Sequence, residues 1–160
     1  PVVFVIVAHQ QQAVLVALPR KVGAIDYGDA HTGIAISDPT GLLAGFTTVI
    51  NAYRPDRVTE QIALLAKEHR VERLVLGHPI NMDGTRGPRS EKAQAMRQLL
   101  EETTGLTVVL WDERRTTIDA HQILMSSGKN AKKRKKVVDA VAASLILEGY
   151  LTYLKTHPEG

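Results

Sequence analysis

The chain has 160 residues, 44% of them hydrophobic and 23% charged, with a net charge of +3 and no cysteine. That length suits one domain with a sizeable core, and the composition is that of an ordinary globular protein rather than a disordered one. The missing cysteines exclude a disulfide framework, thiolate zinc sites and a cysteine nucleophile, and agree with a reducing, cytoplasmic setting.

In chain order, two apolar runs come first, Val2 to Ala8 and Ala13 to Leu18, separated by His9 and three glutamines. Neither approaches the roughly 18–20 apolar residues that span a bilayer, and no basic segment precedes them as in a secretory signal. Residues 1–20 are therefore set apart as an N-terminal extension without a functional reading, and residues 21–156 are taken as a single domain. Strands are predicted at Val22 to Asp26, Gly33 to Ser37 and Phe46 to Ile50, joined by short turn-rich links that suit an antiparallel meander. From Pro55 to Arg70 the period becomes helical, with Val58, Ile62, Leu65 and Ala66 on one face. A short strand, Arg73 to Gly77, precedes the turn-rich loop that contains Asn81 and Asp83. A helix from Ser90 to Thr104, a strand from Leu106 to Trp111, a helix from Thr117 to Ser126 and a long helix from Val137 to about Leu154 complete the chain. Strands first, then alternating helices and strands, give an α/β fold with a mixed sheet flanked by helices.

Three carboxylates stand out because each ends or interrupts an apolar segment. Asp26 closes the first core strand, where a charge is costly unless something cationic faces it. Gly28 and Gly33 bracket the turn that follows, and a missing Cβ there permits positive φ or close approach of a phosphate or metal. Glu113 follows the strand that ends at Trp111. Asp139 lies among valines and alanines at the start of the last helix, where the plainer account is that it complements the helix dipole, worth about 0.3–1 kcal/mol. For Asp26 the plainer account is a turn aspartate bonded to nearby amides. Taken together, acids from separate elements converging on one point repel each other, and a divalent cation relieves that repulsion. The six histidines are scattered without zinc-like spacing, so Mg²⁺ or Mn²⁺, which prefer carboxylate and water oxygens, is the expected ion. Two such ions about 4 Å apart stabilise the attacking and leaving oxygens of phosphodiester cleavage.

Between positions 129 and 136 stand six basic residues, Lys129, Lys132, Lys133, Arg134, Lys135 and Lys136. A solvated charge run is the usual meaning of such a stretch. Read as a loop directly before Asp139, it would overhang the acidic site and hold a phosphate backbone, with Arg114, Arg115 and Arg86 adding positive charge. Aromatic residues make up only 4%, so a duplex or structured RNA gripped by its backbone fits better than stacked single strands.

Four segments carry a resemblance: Asp26-Tyr27-Gly28 with Gly33-Ile34-Ala35, Val75 to Gly84, Asp112 to Thr116, and Val138 to Leu147. In this order and spacing, over residues 22 to 154, they resemble the YqgF family of Holliday-junction-resolvase-like, pre-16S ribosomal RNA nucleases. The resemblance implies an RNase H-like fold with a five-stranded mixed sheet, and it implies that Asp26, Glu113 and Asp139 are metal-binding catalytic carboxylates. Under this reading Asp26 bridges two ions and the other two acids each complete one shell. The substrate is structured RNA or branched DNA and the protein a monomer or homodimer, with no membrane partner. Members of the family that the chain resembles often carry a basic residue in the first turn; this chain has Ala30, His31 and Thr32, so that phosphate contact is either missing or supplied by His31. A non-cleaving module that binds ribosomal RNA is the alternative. A phosphotransferase related to sugar kinases is disfavoured, because those need two lobes and the chain supplies one.

Overall fold

The computed structural model describes residues 3–9, 12–18, 21–41, 43–79, 84–113 and 131–157, with backbone alone for 3–9, 12–18 and 131–138. Strands β1 (Val3–His9) and β2 (Gln12–Leu18) form an antiparallel hairpin that is a two-stranded sheet of its own. The second sheet holds β3 (Val22–Asp26), β4 (His31–Ser37), β5 (Ala44–Asn51), β6 (Arg73–His78) and β7 (Thr107–Asp112) in the order β5-β4-β3-β6-β7. The first three are antiparallel, and β6 and β7 continue from β3 in parallel. This is the five-stranded mixed sheet expected from the sequence.

The helices α1 (Pro55–Glu68) and α2 (Pro88–Thr104) make the two crossovers, each opening on a proline whose fixed φ suits the first helical position. Helix α3 (Ala131–Thr156) begins six residues before the expected Val137. The basic stretch from Lys132 to Lys136 is thus helical and not a loop. Lys and Arg are good helix formers, and no glycine or proline interrupts the run up to Gly149. The helix expected at Thr117 to Ser126 lies outside the described residues. No described helix is long and apolar enough to cross a membrane.

Strand alternation sorts the core into two layers. Ile25, Ile34, Ile36, Leu74, Leu76 and Val108 face α1 and α2, meeting Val58, Ile62, Met96 and Leu100. Val22, Ala24, Ala35, Val75 and Trp111 face α3, meeting Ala143, Ile146, Leu147, Tyr150 and Leu154. The α3 layer of the central strands is built from small residues, which lets a helix lie close. Tyr150 is 1% exposed, and its hydroxyl accepts a 2.8 Å bond from Arg73 at the start of β6. Full burial of one such large side chain is worth about 1.5–3 kcal/mol.

Closest of all is Gly33, paired with Asp26 across β3 and β4. A Cβ at this position would overlap the carbonyl oxygen of Asp139 in α3. Because helix backbone would have to move, Gly33→Ala is expected to lower stability by roughly 2–3 kcal/mol, at the upper end of overpacking. Gly23→Ala is the contrast, since its Cβ would meet side-chain ends alone, Leu74 at 3.1 Å and Val71 at 3.5 Å. Urea denaturation of both variants checks this, and equal midpoints would show that α3 does not bear on Gly33.

Candidate active site

The same alternation that builds the α3 layer carries three acids to one end of it. Asp26 follows Val22 and Ala24 in phase and ends β3. One step past the Ile25–Leu76 pair, it stands level with Gly77 of β6. Gly77 pairs with Trp111 of β7, so Glu113, two residues on, falls on the same face. A Cβ on Gly77 would overlap Glu113 Oε1 and press on Ile146 of α3; the carboxylate lies where a side chain at 77 would have been. Asp139 arrives from above, its backbone against Gly33 and its Oδ2 buried. It is the ninth residue of α3 rather than a first-turn residue. The helix dipole acts within the first turn, so it does not account for this acid.

The electrostatics follow from the crowding. Burial, then the negative charges of Glu113 and Asp139, push the Asp26 carboxyl up to about 7, against the opposing pull of Arg89. Burial likewise raises Glu113, with Asp112 adding to it, while Arg89 and a hydrogen bond from Asp26 oppose the rise. Below about pH 7 Asp26 therefore holds its proton in a hydrogen bond to Glu113. Among the described residues no three or more His, Asp or Glu side chains stand in an arrangement ready to hold a metal ion. As a donor set the residues fit Mg²⁺ or Mn²⁺: hard carboxylate oxygens in a crowded, part-buried place, with the steric room left by two glycines.

The chain matches the family described as "RuvX: Holliday junction resolvase" over residues 20–153. It is 41% identical over 133 residues to a Halothermothrix orenii protein named "Putative pre-16S rRNA nuclease", covering 83% of this chain and 95% of that one. A Bacillus subtilis protein of the same name is 41% identical over 136 residues, covering 84% and 99%. The chain belongs to the RuvX Holliday junction resolvase family. In fold it is similar to Thermus thermophilus RuvC, solved in complex with a Holliday junction substrate, with a TM-score of 0.57 at 16% identity over 83% of this chain and 95% of that one. The RNase H-like fold expected from the sequence is therefore the fold of this RuvX-family chain.

Other residues named from the sequence fare differently. Arg114, Arg115, Lys129, Asn81 and Asp83 lie outside the described residues. Lys132, Lys133, Arg134, Lys135 and Lys136 are placed only as backbone in the first turns of α3. Gly28 and Gly33 have no positive φ; what they permit is close approach, since a Cβ on Gly28 would fall 2.5 Å from the His31 carbonyl oxygen and one on Gly33 would overlap α3. His31 Nδ1 donates to Asn51 Oδ1 at 2.6 Å across the strand ends, so this nitrogen is engaged within the protein.

Sequence reasoning passed over the start of α2. Arg89 lies close enough to pull on both Asp26 and Glu113, and Lys92 pairs with Asp29 at 3.1 Å. Ser90 is buried and bonded to His78 at 2.6 Å, tying α2 to the end of β6. Burial, then Arg86, lowers His78, which favours the neutral ring in that contact. The only sequence signal for Arg89 was its place directly after Gly87-Pro88, a helix-opening pair beyond the β6 loop.

The raised Asp26 fixes a pH dependence. An acid pushed from 3.8 to about 7 on folding contributes stability that is complete below about pH 4 and lost as pH rises through 7. Without divalent metal the protein should melt several degrees lower at pH 8 than at pH 5. Asp26→Asn should remove most of that fall and exceed the wild type at pH 8, since Asn still donates to Glu113. Added Mg²⁺ should raise the wild-type melting temperature more at pH 8 than at pH 5. Thermal melts in EDTA and in Mg²⁺ test this; identical wild-type melts at both pH values would mean the acids are not crowded.

Proposed function

We propose that this protein is a metal-dependent nuclease that hydrolyses phosphodiester bonds of structured nucleic acid, acting in the cytoplasm on the precursor of 16S ribosomal RNA. The observation that carries this reading is the coupling of Asp26 to both Glu113 and Asp139 at the end of one sheet layer. Membership of the RuvX family and the names of the curated relatives support the reaction class. Those names also favour ribosomal RNA as the substrate. A four-way DNA junction is the second substrate to consider, favoured by the family's own description.

Asp26, Glu113 and Asp139 would hold Mg²⁺ or Mn²⁺. Bound there, divalent ions acidify water and offset the charge gathering on the phosphate, the two-metal logic of phosphodiester hydrolysis. The chain's own contribution is arrangement. Asp26 stands between the other two acids, so its deprotonation opens the site: while its proton is shared with Glu113, both are committed to each other. Ile146, packed at Gly77, and the Trp111 layer beneath it keep water off the back of the carboxylates. That burial raises their basicity and makes each a stronger oxygen donor once ionised. The overall reaction adds water across one P–O bond and leaves a phosphate monoester end and a hydroxyl end.

Asp26→Asn is expected to lower cleavage by at least about a thousandfold while leaving the fold intact. Gly77→Ala, which displaces Glu113 by steric means alone, should also be severely impaired. Precursor 16S ribosomal RNA and a four-way DNA junction, each incubated with Mg²⁺ or Mn²⁺ and resolved on denaturing gels, provide the assay. Undiminished cleavage by Asp26→Asn would refute the site. Binding with no product from wild type under either metal would replace a nuclease with a binding module.

A further inference from the structure

Beside the acids is a cleft of about 120 Å³ lined by Tyr27, Gly28, Gly77, Arg89 and Lys92, among others. It adjoins the acids through Gly77, the residue against which Glu113 rests. Lys92, on the far side of one helical turn from Arg89, is held at 3.1 Å by Asp29. Arg89 is exposed, and among the described residues no hydrogen bond or ion pair occupies its guanidinium. An arginine in this position has five donors in a rigid fork that matches two oxygens of a phosphate. Arg89 lies in the first turn of α2, where the positive end of a helix favours an anion.

We propose that Arg89 is the residue that grips a backbone phosphate of the nucleic acid at this site, its guanidinium bridging two non-bridging oxygens in the cleft between Gly28, Gly77 and Lys92. The proposal rests on the nuclease reading for the identity of the ligand, but it concerns binding and not bond cleavage. Arg89 is accordingly a positioning residue. Because the cleft shares Gly77 with Glu113, a phosphate held by Arg89 lies at the acids' end of the sheet. A lysine would keep the charge and lose the fork.

The test is the affinity of wild type, Arg89→Gln, Arg89→Lys and Lys67→Gln for two fluorescent probes, an RNA duplex and an immobile four-way DNA junction. Affinity is measured at several KCl concentrations with Ca²⁺ as the divalent ion. Lys67, in the last turn of α1, is exposed and serves as a charge-matched control. Arg89→Gln should bind at least one probe about tenfold more weakly. Its slope of log affinity against log salt should be shallower by about 0.7–0.9, the loss of one phosphate contact. Arg89→Lys should recover the slope but only part of the affinity, and Lys67→Gln should match wild type. The two probes separate an RNA from a DNA ligand.

An unchanged slope for Arg89→Gln, or an equal fall for Lys67→Gln, overturns the proposal and leaves Arg89 a counter-charge to the acids. Because binding is read without turnover, the two readings fail separately. Wild type that cuts nothing, with Arg89→Gln still weakened, removes the nuclease and keeps the phosphate grip. Wild type that cuts, with Arg89→Gln binding normally, does the reverse.

Discussion

Three carboxylates in a part-buried pocket are an electrostatic load that the rest of the fold must carry. Two unit charges 4 Å apart interact by about 4 kcal/mol at the effective dielectric of a protein surface, and here the repulsion is added to the loss of solvation. The chain concentrates this unfavourable energy at Asp26, the acid that faces both others. Nothing in the packing asks for it, since the layers on either side of the sheet close without it. Stability spent where packing gains nothing is the physical mark of a functional site. Below about pH 7 a proton held by Asp26 against Glu113 relieves part of that load.

The means of assembly is steric. Two positions in the α3 layer lack a Cβ, and each admits one partner of the site: Gly33 admits the backbone of α3 at Asp139, and Gly77 admits the Glu113 carboxylate. Both glycines lie in the in-phase set that includes Ala24, Ala35 and Val75, so the helix-facing side of the central strands thins toward the site end. The acids can therefore approach one another while the strands keep regular pairing, and Tyr150 and Leu154, further along α3, anchor the helix. Site and core are two ends of the same layer, which is why Gly33→Ala is a test of both.

Much of this was legible in the sequence, for identifiable reasons. Strand positions followed from short apolar, β-branched runs bounded by turn-rich links, with Asp26 at the end of the first core strand. The acids were conspicuous because each broke an apolar run. The start of α3 was misplaced because the lysine run was read by charge rather than by helix propensity, and charge alone says nothing about backbone state. The roles of Gly33 and Gly77 were out of reach for a different reason. A glycine that serves its own φ leaves a local signature in turn-forming neighbours, whereas one that makes room for a group distant in sequence, as Gly33 does for Asp139 and Gly77 for Glu113, leaves none. Arg89 was missed on the same ground: its partners, Asp26 and Glu113, are distant in sequence and adjacent only once β6 and α2 are folded.

The corrected start of α3 also changes what the basic residues can do. A flexible loop over the site would let six charges adapt to any phosphate track. A helix fixes the backbone from position 131 to Asp139, a rise of about 12 Å at 1.5 Å per residue, so the basic stretch and the acid move as one body. Arg89 and Lys92 stand at the cleft beside the acids, on the α2 side, whereas the basic stretch belongs to the helix that carries Asp139. Its register to that acid is set by helix geometry, so any movement of α3 carries the two together, which a loop between them would not do.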